Sequence, residues 1–277
     1  MYPVSEAFLQ AVQENTRRYF WSGRITTTKG ATYEFGADDI VKGSGYISSQ
    51  CCGSTEIELG TVYAAEMGIT LLSDIDRYTL EDALVELFYH LRLPDGSFEE
   101  VPMGIFEVSE ANRNIKTLEL KAYDYLLRFD KSFNGFESIG TVYDFVSLCC
   151  KACKVEMAQS QAEYYQLDPD DGLTMNLGVN PLLQFGLKET REQLSMNILN
   201  DLAVVDYVPF DSETIGNPAL DLGDVIRFKG GQADENRISA ITSMQCKIGG
   251  KHTLKGVGKN PRLAHAKSKN DKNISGL

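Results

Sequence analysis

The chain has 277 residues, of which 43% are hydrophobic and 24% charged, and it carries a formal net charge of −12. That length and mixture suit one large domain or two modest ones around a sizeable core. The acidic balance argues against bulk nucleic-acid binding and against nucleic-acid sequence recognition. No run of about 18 apolar residues is present to cross a membrane as a helix, and the start, MYPVSEAFLQAVQ, lacks the basic and apolar regions of a secretory signal. No membrane anchor is therefore expected.

Residues 4–20 read as an amphipathic helix, with Phe8, Ala11, Val12 and Tyr19 at helical spacing and Ser5 as its cap. The pattern then turns to β. Strands at 24–28 and 32–35 flank Lys29-Gly30, a hairpin signal. Short strands follow at 46–49 and 56–59, on either side of Cys51-Cys52-Gly53, and Met67, Ile69 and Leu71 alternate. Residues 80–93 fit either period. The Pro94-Asp95-Gly96 turn and the β-rich surroundings favour a strand, paired with 98–101. Phe106 and Val108 belong to a further strand, and a polar turn is predicted at 109–114. Leu118, Leu120 and Ala122 then share one strand face, opposite Thr117, Glu119 and Lys121. The first face is predicted as core and the second as a lumen or subunit contact. Residues 122–129 read as a short helix or helical turn.

Residues 141–155 form the clearest helix, with Val142, Phe145, Val146, Cys149, Cys150 and Cys153 on one apolar stripe and Thr141 with Asp144 as a start signal. Residues 162–171 are a polar loop, and 190–205 a second helix opened by Thr190 and Gln193. Strands return at 207–210 and 225–228. Residues 237–248 alternate most regularly, with Ile238, Ala240, Thr242, Met244, Cys246 and Ile248 on one face. Gly249-Gly250 turns the chain back into 251–256. From Lys251 onward six Lys and one Arg stand against one Asp; Asn260-Pro261 ends order and residues 267–277 read as a polar, Lys-rich, mobile tail, so the acidic body can meet basic partners or the tail itself.

None of the candidate chemistry assembles into a motif. Cys150-Lys-Ala-Cys153 has CxxC spacing but lies late on an apolar helix face, unlike a redox pair at an exposed helix start. A zinc site would need further ligands, and His90, His252 and His265 stand at no zinc spacing. Asp168-Pro-Asp-Asp-Gly172 places its glycine fifth, with Val179 where an EF-hand has its Glu, so it reads as a turn. Asp38-Asp39 and Glu99-Glu100 are consecutive pairs that point apart on a strand, not carboxylates facing each other across a cleft. The glycine-rich stretches 42–45 and 249–252 lie between strands and read as hairpin turns rather than phosphate loops. No catalytic residue, cofactor-binding residue or metal ligand is assigned, no cofactor is expected, and the chain is not expected to be an enzyme. The cysteines, adjacent in sequence, are expected to be reduced thiols.

The order of these pieces resembles the hub proteins at the tail tip or baseplate of tailed bacteriophages and phage-tail-like particles. The segments that carry it are Ala37-Asp-Asp-Ile-Val41, Ile57-Glu-Leu-Gly60, Val101-Pro-Met-Gly-Ile-Phe106, residues 118–129 with Ala122-Tyr-Asp124, Leu222-Gly-Asp-Val225, and residues 245–258 with Asn260-Pro261. The resemblance implies an α+β, β-rich fold with two β-barrel-like tube domains and a helix-containing middle. The corresponding division is 1–130 as the first tube-like domain, 131–205 as the middle, 206–262 as the second β unit and 263–277 as the basic tail. It further implies a homotrimer whose pseudo-sixfold ring joins a tail tube or distal tail protein to a spike, fibre or tape-measure protein. The chain would be assembled in the bacterial cytoplasm and reside in the particle. Many relatives continue into a peptidoglycan-degrading or receptor-binding region, and this sequence stops soon after the second β unit, so no enzymatic role is carried over. A tail-associated peptidoglycan hydrolase or carbohydrate-binding adaptor is the alternative.

Overall fold

The computed structural model describes residues 2–51, 63–131, 142–156, 209–229 and 238–257. The expected strand at 56–59, the loop at 162–171 with Asp168 to Gly172, the helix at 190–205, residues 207–208 and the tail from 258 lie outside them.

Helix α1 (Glu6–Ala11) starts at Ser5, whose side chain accepts from the Phe8 amide at 3.1 Å. It is much shorter than the 4–20 predicted, because Tyr19 already opens strand β1 (Tyr19–Thr26). Between them Arg17 donates to Val12 O at 2.8 Å and to Gly216 O at 2.6 Å. Side-chain bonding at the helix end and cross-strand pairing of Tyr19 thus override the helical spacing of the apolar residues.

The hairpin at Lys29-Gly30 is present: β1 pairs with β2 (Thr32–Phe35), and Gly30 takes a φ of 84° in the turn. Strands β3 (Tyr46–Gln50), β4 (Glu66–Leu72), β5 (Leu84–Arg92), β6 (Phe98–Asn114) and β7 (Thr117–Tyr123) follow. The ambiguous stretch is the strand β5, with Val85, Leu87, Tyr89 and Leu91 turned inward. Strand β6 corrects the predicted turn at 109–114. Residues 110–114 remain paired with β7, Ser109 falls in a register slip, and the chain reverses at Ile115-Lys116. Two register slips bend β6, one near Pro102 and Gly104 and one between Val108 and Glu110. Proline cannot donate to a ladder, and such slips sharpen the local twist.

A 3-10 turn at Tyr125–Phe129, capped by Asp124, leads toward helix α2 (Val142–Cys153). The second β region contributes β8 (Phe210–Thr214), β9 (Val225–Arg227), β10 (Ile238–Ala240), β11 (Ser243–Lys247) and β12 (His252–Gly256). The single strand predicted over 237–248 is two strands. At Ile241 the chain changes partners: its amide bonds Asp224 O, whereas the Thr242 amide bonds Lys255 O. Ile241 is consequently buried out of the alternating pattern.

The architecture is β-rich with few helices. Ten strands form one antiparallel sheet in the order β2-β1-β5-β6-β7-β4-β3-β11-β12-β8, and β9 and β10 form a separate pair. The two β regions meet through β3 and β11, where Tyr46 lies opposite Lys247 and Gln50 opposite Ser243. Among the described residues the sheet does not close into a barrel; β2 and β8 are its edges. It curls instead. Trp21 and Phe35 near one edge share a core with Met67, Leu87, Leu120, Cys246 and Ile248, and α1 adds Phe8, Ala11 and Val12 to the same interior. On β7 the expected core face is buried, with Leu118, Leu120 and Ala122 fully enclosed. Burial of each leucine contributes about 1.5–3 kcal/mol. Two glycines let the sheet approach itself closely. A Cβ on Gly23 would strike the Phe35 ring and come 2.7 Å from Glu86 O, and one on Gly68 would strike the Tyr46 ring.

Candidate functional site

Among the described residues, those weighed for chemistry meet in pairs at most. Cys149, Cys150 and Cys153 are buried on α2, and the Cys153 thiol bonds Arg128 O at 3.4 Å. Val146, expected on the same stripe, is 39% exposed. Asp39 accepts from the Gly36 amide at 2.9 Å and shapes a turn. Glu99 bonds the Ser5 amide at 2.8 Å while Glu100 faces His90 across the sheet, so the two point apart. Gly43 and Gly249 have φ of 77° and 72° in turns between strands. Among the described residues no three His, Cys, Asp or Glu side chains converge as a metal site.

Sequence reasoning missed a buried polar cluster where the second β region meets the N-terminal segment. Cys246 Sγ lies 2.9 Å from His252 Nε2, and both residues are buried. His252 Nδ1 and the Tyr89 hydroxyl have no hydrogen-bond partner among the described residues. Arg17 closes the cluster by donating to the backbone carbonyls of Ile215 and Gly216, and Gly216 packs so closely on the His252 ring that a Cβ there would collide with it. Burial, aided by the Arg17 charge, pushes the His252 pKa down to about 4. Burial also raises the Cys246 thiol, which keeps it protonated and unreactive. No local signal announces this group, since its members come from residues 17, 89, 246 and 252.

The outer face of β3, β4 and β7 holds a polar lattice. Tyr46 donates to Glu66, and Lys121 Nζ lies 3.2 Å from the same carboxylate. Hydrogen bonding to Glu66 pushes Tyr46 up to about 12, and the Tyr46 bond lowers Glu66. Lys121, predicted as a contact residue, is thus tied into its own sheet, whereas its neighbour Glu119 is exposed.

The outer face of β1, β5 and β6 is different. Phe20 stacks on His90 at 4.3 Å and meets Phe98 edge-on at 5.2 Å. Register places Phe88 opposite Pro102 and Glu86 opposite Ile105, extending an apolar strip along the sheet. Phe20, Phe98 and Ile105 are 37%, 50% and 42% exposed. Within the strip Arg24 Nε donates to Glu86 at 2.6 Å, whereas Glu100 lies 3.7 Å from His90, whose pKa burial pushes down, so the carboxylate keeps its negative charge beside a neutral ring. Ser22 Oγ is 2.8 Å from His90 Nε2, which gives a serine–histidine–carboxylate order across three strands. The 3.7 Å separation is too long for a hydrogen bond orienting the imidazole.

A groove of about 660 Å³ lies beside this region, between the turn at Arg77–Thr79, the middle of β6 and the 3-10 turn before α2. Tyr78, Leu80, Val108, Ala111 and Leu127 supply its apolar lining. Arg128 bonds Glu107 at 2.8 Å and stacks 4.0 Å over Tyr125, which fixes one wall.

No family model matches the chain, and no curated protein does either. Among solved structures, a chain described as "Virion of native gene transfer agent (GTA) particle" is similar at a TM-score of 0.30 and 11% identity, over 94% of this chain and 88% of that one. Similarity at that level establishes neither fold nor role.

Proposed function

We propose that this chain is a structural hub of a bacteriophage or phage-tail-like particle, sited at the tail tip or baseplate. In this reading three copies form a ring, with the first and second β regions as its tube-like modules. The ring joins a sixfold tail tube or distal tail protein to a threefold spike, fibre or tape-measure protein. Its work is symmetry adaptation rather than catalysis. The chain would be assembled in the bacterial cytoplasm and carried in the particle.

The observation that carries the reading is the outer strip of β1, β5 and β6. Phe20, Phe98 and Ile105 stay exposed on one face of the sheet, beside the paired Arg24 and Glu86. Large contiguous exposed apolar surface marks an interaction site. Strands β2 and β8, the sheet's edges among the described residues, add surface of the kind an oligomer covers. The order of tail-hub-like segments supplies the class of assembly. Native mass measurement on the protein released from assembled particles tests this: trimers support it, and a strictly monomeric species inside particles refutes it.

A further inference from the structure

We propose that the groove beside β6 is the docking site for this chain's own basic segment, residues 258–277. This inference stands apart from the assembly reading, because it concerns contacts within one chain.

Three observations converge. The first is an unmatched charge. Glu81 and Asp82 sit on the groove with no ion-pair or hydrogen-bond partner for their carboxylates among the described residues, whereas Glu107 is matched to Arg128 and Arg77 donates to the Tyr78 hydroxyl at 2.9 Å. The second is the chemistry of the segment. Lys259, Arg262, Lys267, Lys269 and Lys272 oppose the single Asp271, and Leu263, Ala264 and Ala266 are small or apolar enough for a lining of Tyr78 and Leu127. Tyr78 is 78% exposed beside the groove, with the Arg77 guanidinium 4.8 Å over one face of its ring.

The third is reach. Register puts Ser48, Glu66, Tyr123 and Glu107 in one row across the sheet, and Gln50, Ser243 and Lys255 in a row just beyond it. Strand β12 therefore ends at the same end of the sheet as the Glu107 wall of the groove. The two are separated by five strand spacings, or about 24 Å along the sheet. Twenty residues extend to about 66 Å, so the basic residues can lie across the groove with slack to spare.

Zero-length carbodiimide coupling on the full chain, followed by mass spectrometry, tests the contact directly. Amide links within one chain from the lysines of 258–277 to Glu81 or Asp82 are expected. Limited trypsin digestion supplies the second readout: the double variant Glu81→Gln, Asp82→Asn should be cut within 258–277 about tenfold faster, the change that a couple of screened ion pairs supply. Asparagine suits position 82, whose φ is 54°, so an unchanged thermal midpoint shows the fold is intact. Equal cutting of both forms overturns the proposal. Links that join Glu81 or Asp82 only to a second copy, or intrachain links only to other acids, overturn it as well.

Discussion

Acidification offers a prediction that can be worked through from the buried cluster. In the folded chain His252 is held near pKa 4 against an ordinary 6.5. Its Nε2 is committed to Cys246, its Nδ1 has no partner among the described residues, and Arg17 is the charged group beside it, with Tyr89 neutral on the remaining side. A second proton on the ring would be buried without a partner. The unfolded chain therefore binds that proton at a higher pH than the folded one. Stability from this group is complete above about pH 6.5, falls as the pH drops and levels off below about pH 4. Each unit of displacement corresponds to about 1.4 kcal/mol, so the loss between pH 7 and pH 5 is about 2 kcal/mol. Urea unfolding at the two values reads it as a fall in midpoint of roughly 0.5–1 M. His252→Gln should flatten the dependence over this window, while His90→Gln should leave most of it. Equal wild-type midpoints at pH 7 and pH 5, or the full loss persisting in His252→Gln, would refute the reasoning.

Leu120 is fully enclosed on β7, so Leu120→Asp should abolish folding, and Leu120→Ala should cost about 2–5 kcal/mol in denaturant unfolding. Reversing the exposed Glu119 to Lys should leave the thermal midpoint unchanged and impair assembly alone. Normal particles containing Leu120→Asp would show that β7 has been misread. Gly23→Ala places a methyl against the Phe35 ring and 2.7 Å from Glu86 O, so a loss of about 1–3 kcal/mol is expected by the same measurement. Phe98→Glu with Ile105→Glu puts two unmatched charges on the outer strip; sedimentation should show weakened self-association with circular dichroism unchanged.

The legible parts of the fold were those decided locally. Lys29-Gly30, Pro94-Asp95-Gly96 and Gly249-Gly250 carry their own turn chemistry, and the alternation on β7 names its buried face. Elsewhere long-range partners decided the outcome. The polar run 109–114 reads as a turn, yet β7 pairs with residues 110–114 and the reversal falls on Ile115-Lys116, which holds no glycine. The alternation over 237–248 continues through Ile241, where Asp224 and Lys255 pull the backbone into different ladders. The joining of β3 to β11 spans nearly 200 residues and has no periodic signature. The candidate sites follow the same division. The alternation of Glu99 and Glu100 is visible in one strand, but the strip of Phe20, Phe98 and Ile105 depends on three strands in register, and the His252 cluster on four distant segments.

Imaging the tail end of assembled particles carrying a labelled form of this chain tests the central claim most directly. The hub account predicts a ring of three copies between the tube and the spike or fibre, with the strip of β1, β5 and β6 covered by a neighbour. A single copy per particle, a location away from the tail end, or a strip left facing solvent in the assembled ring would contradict it.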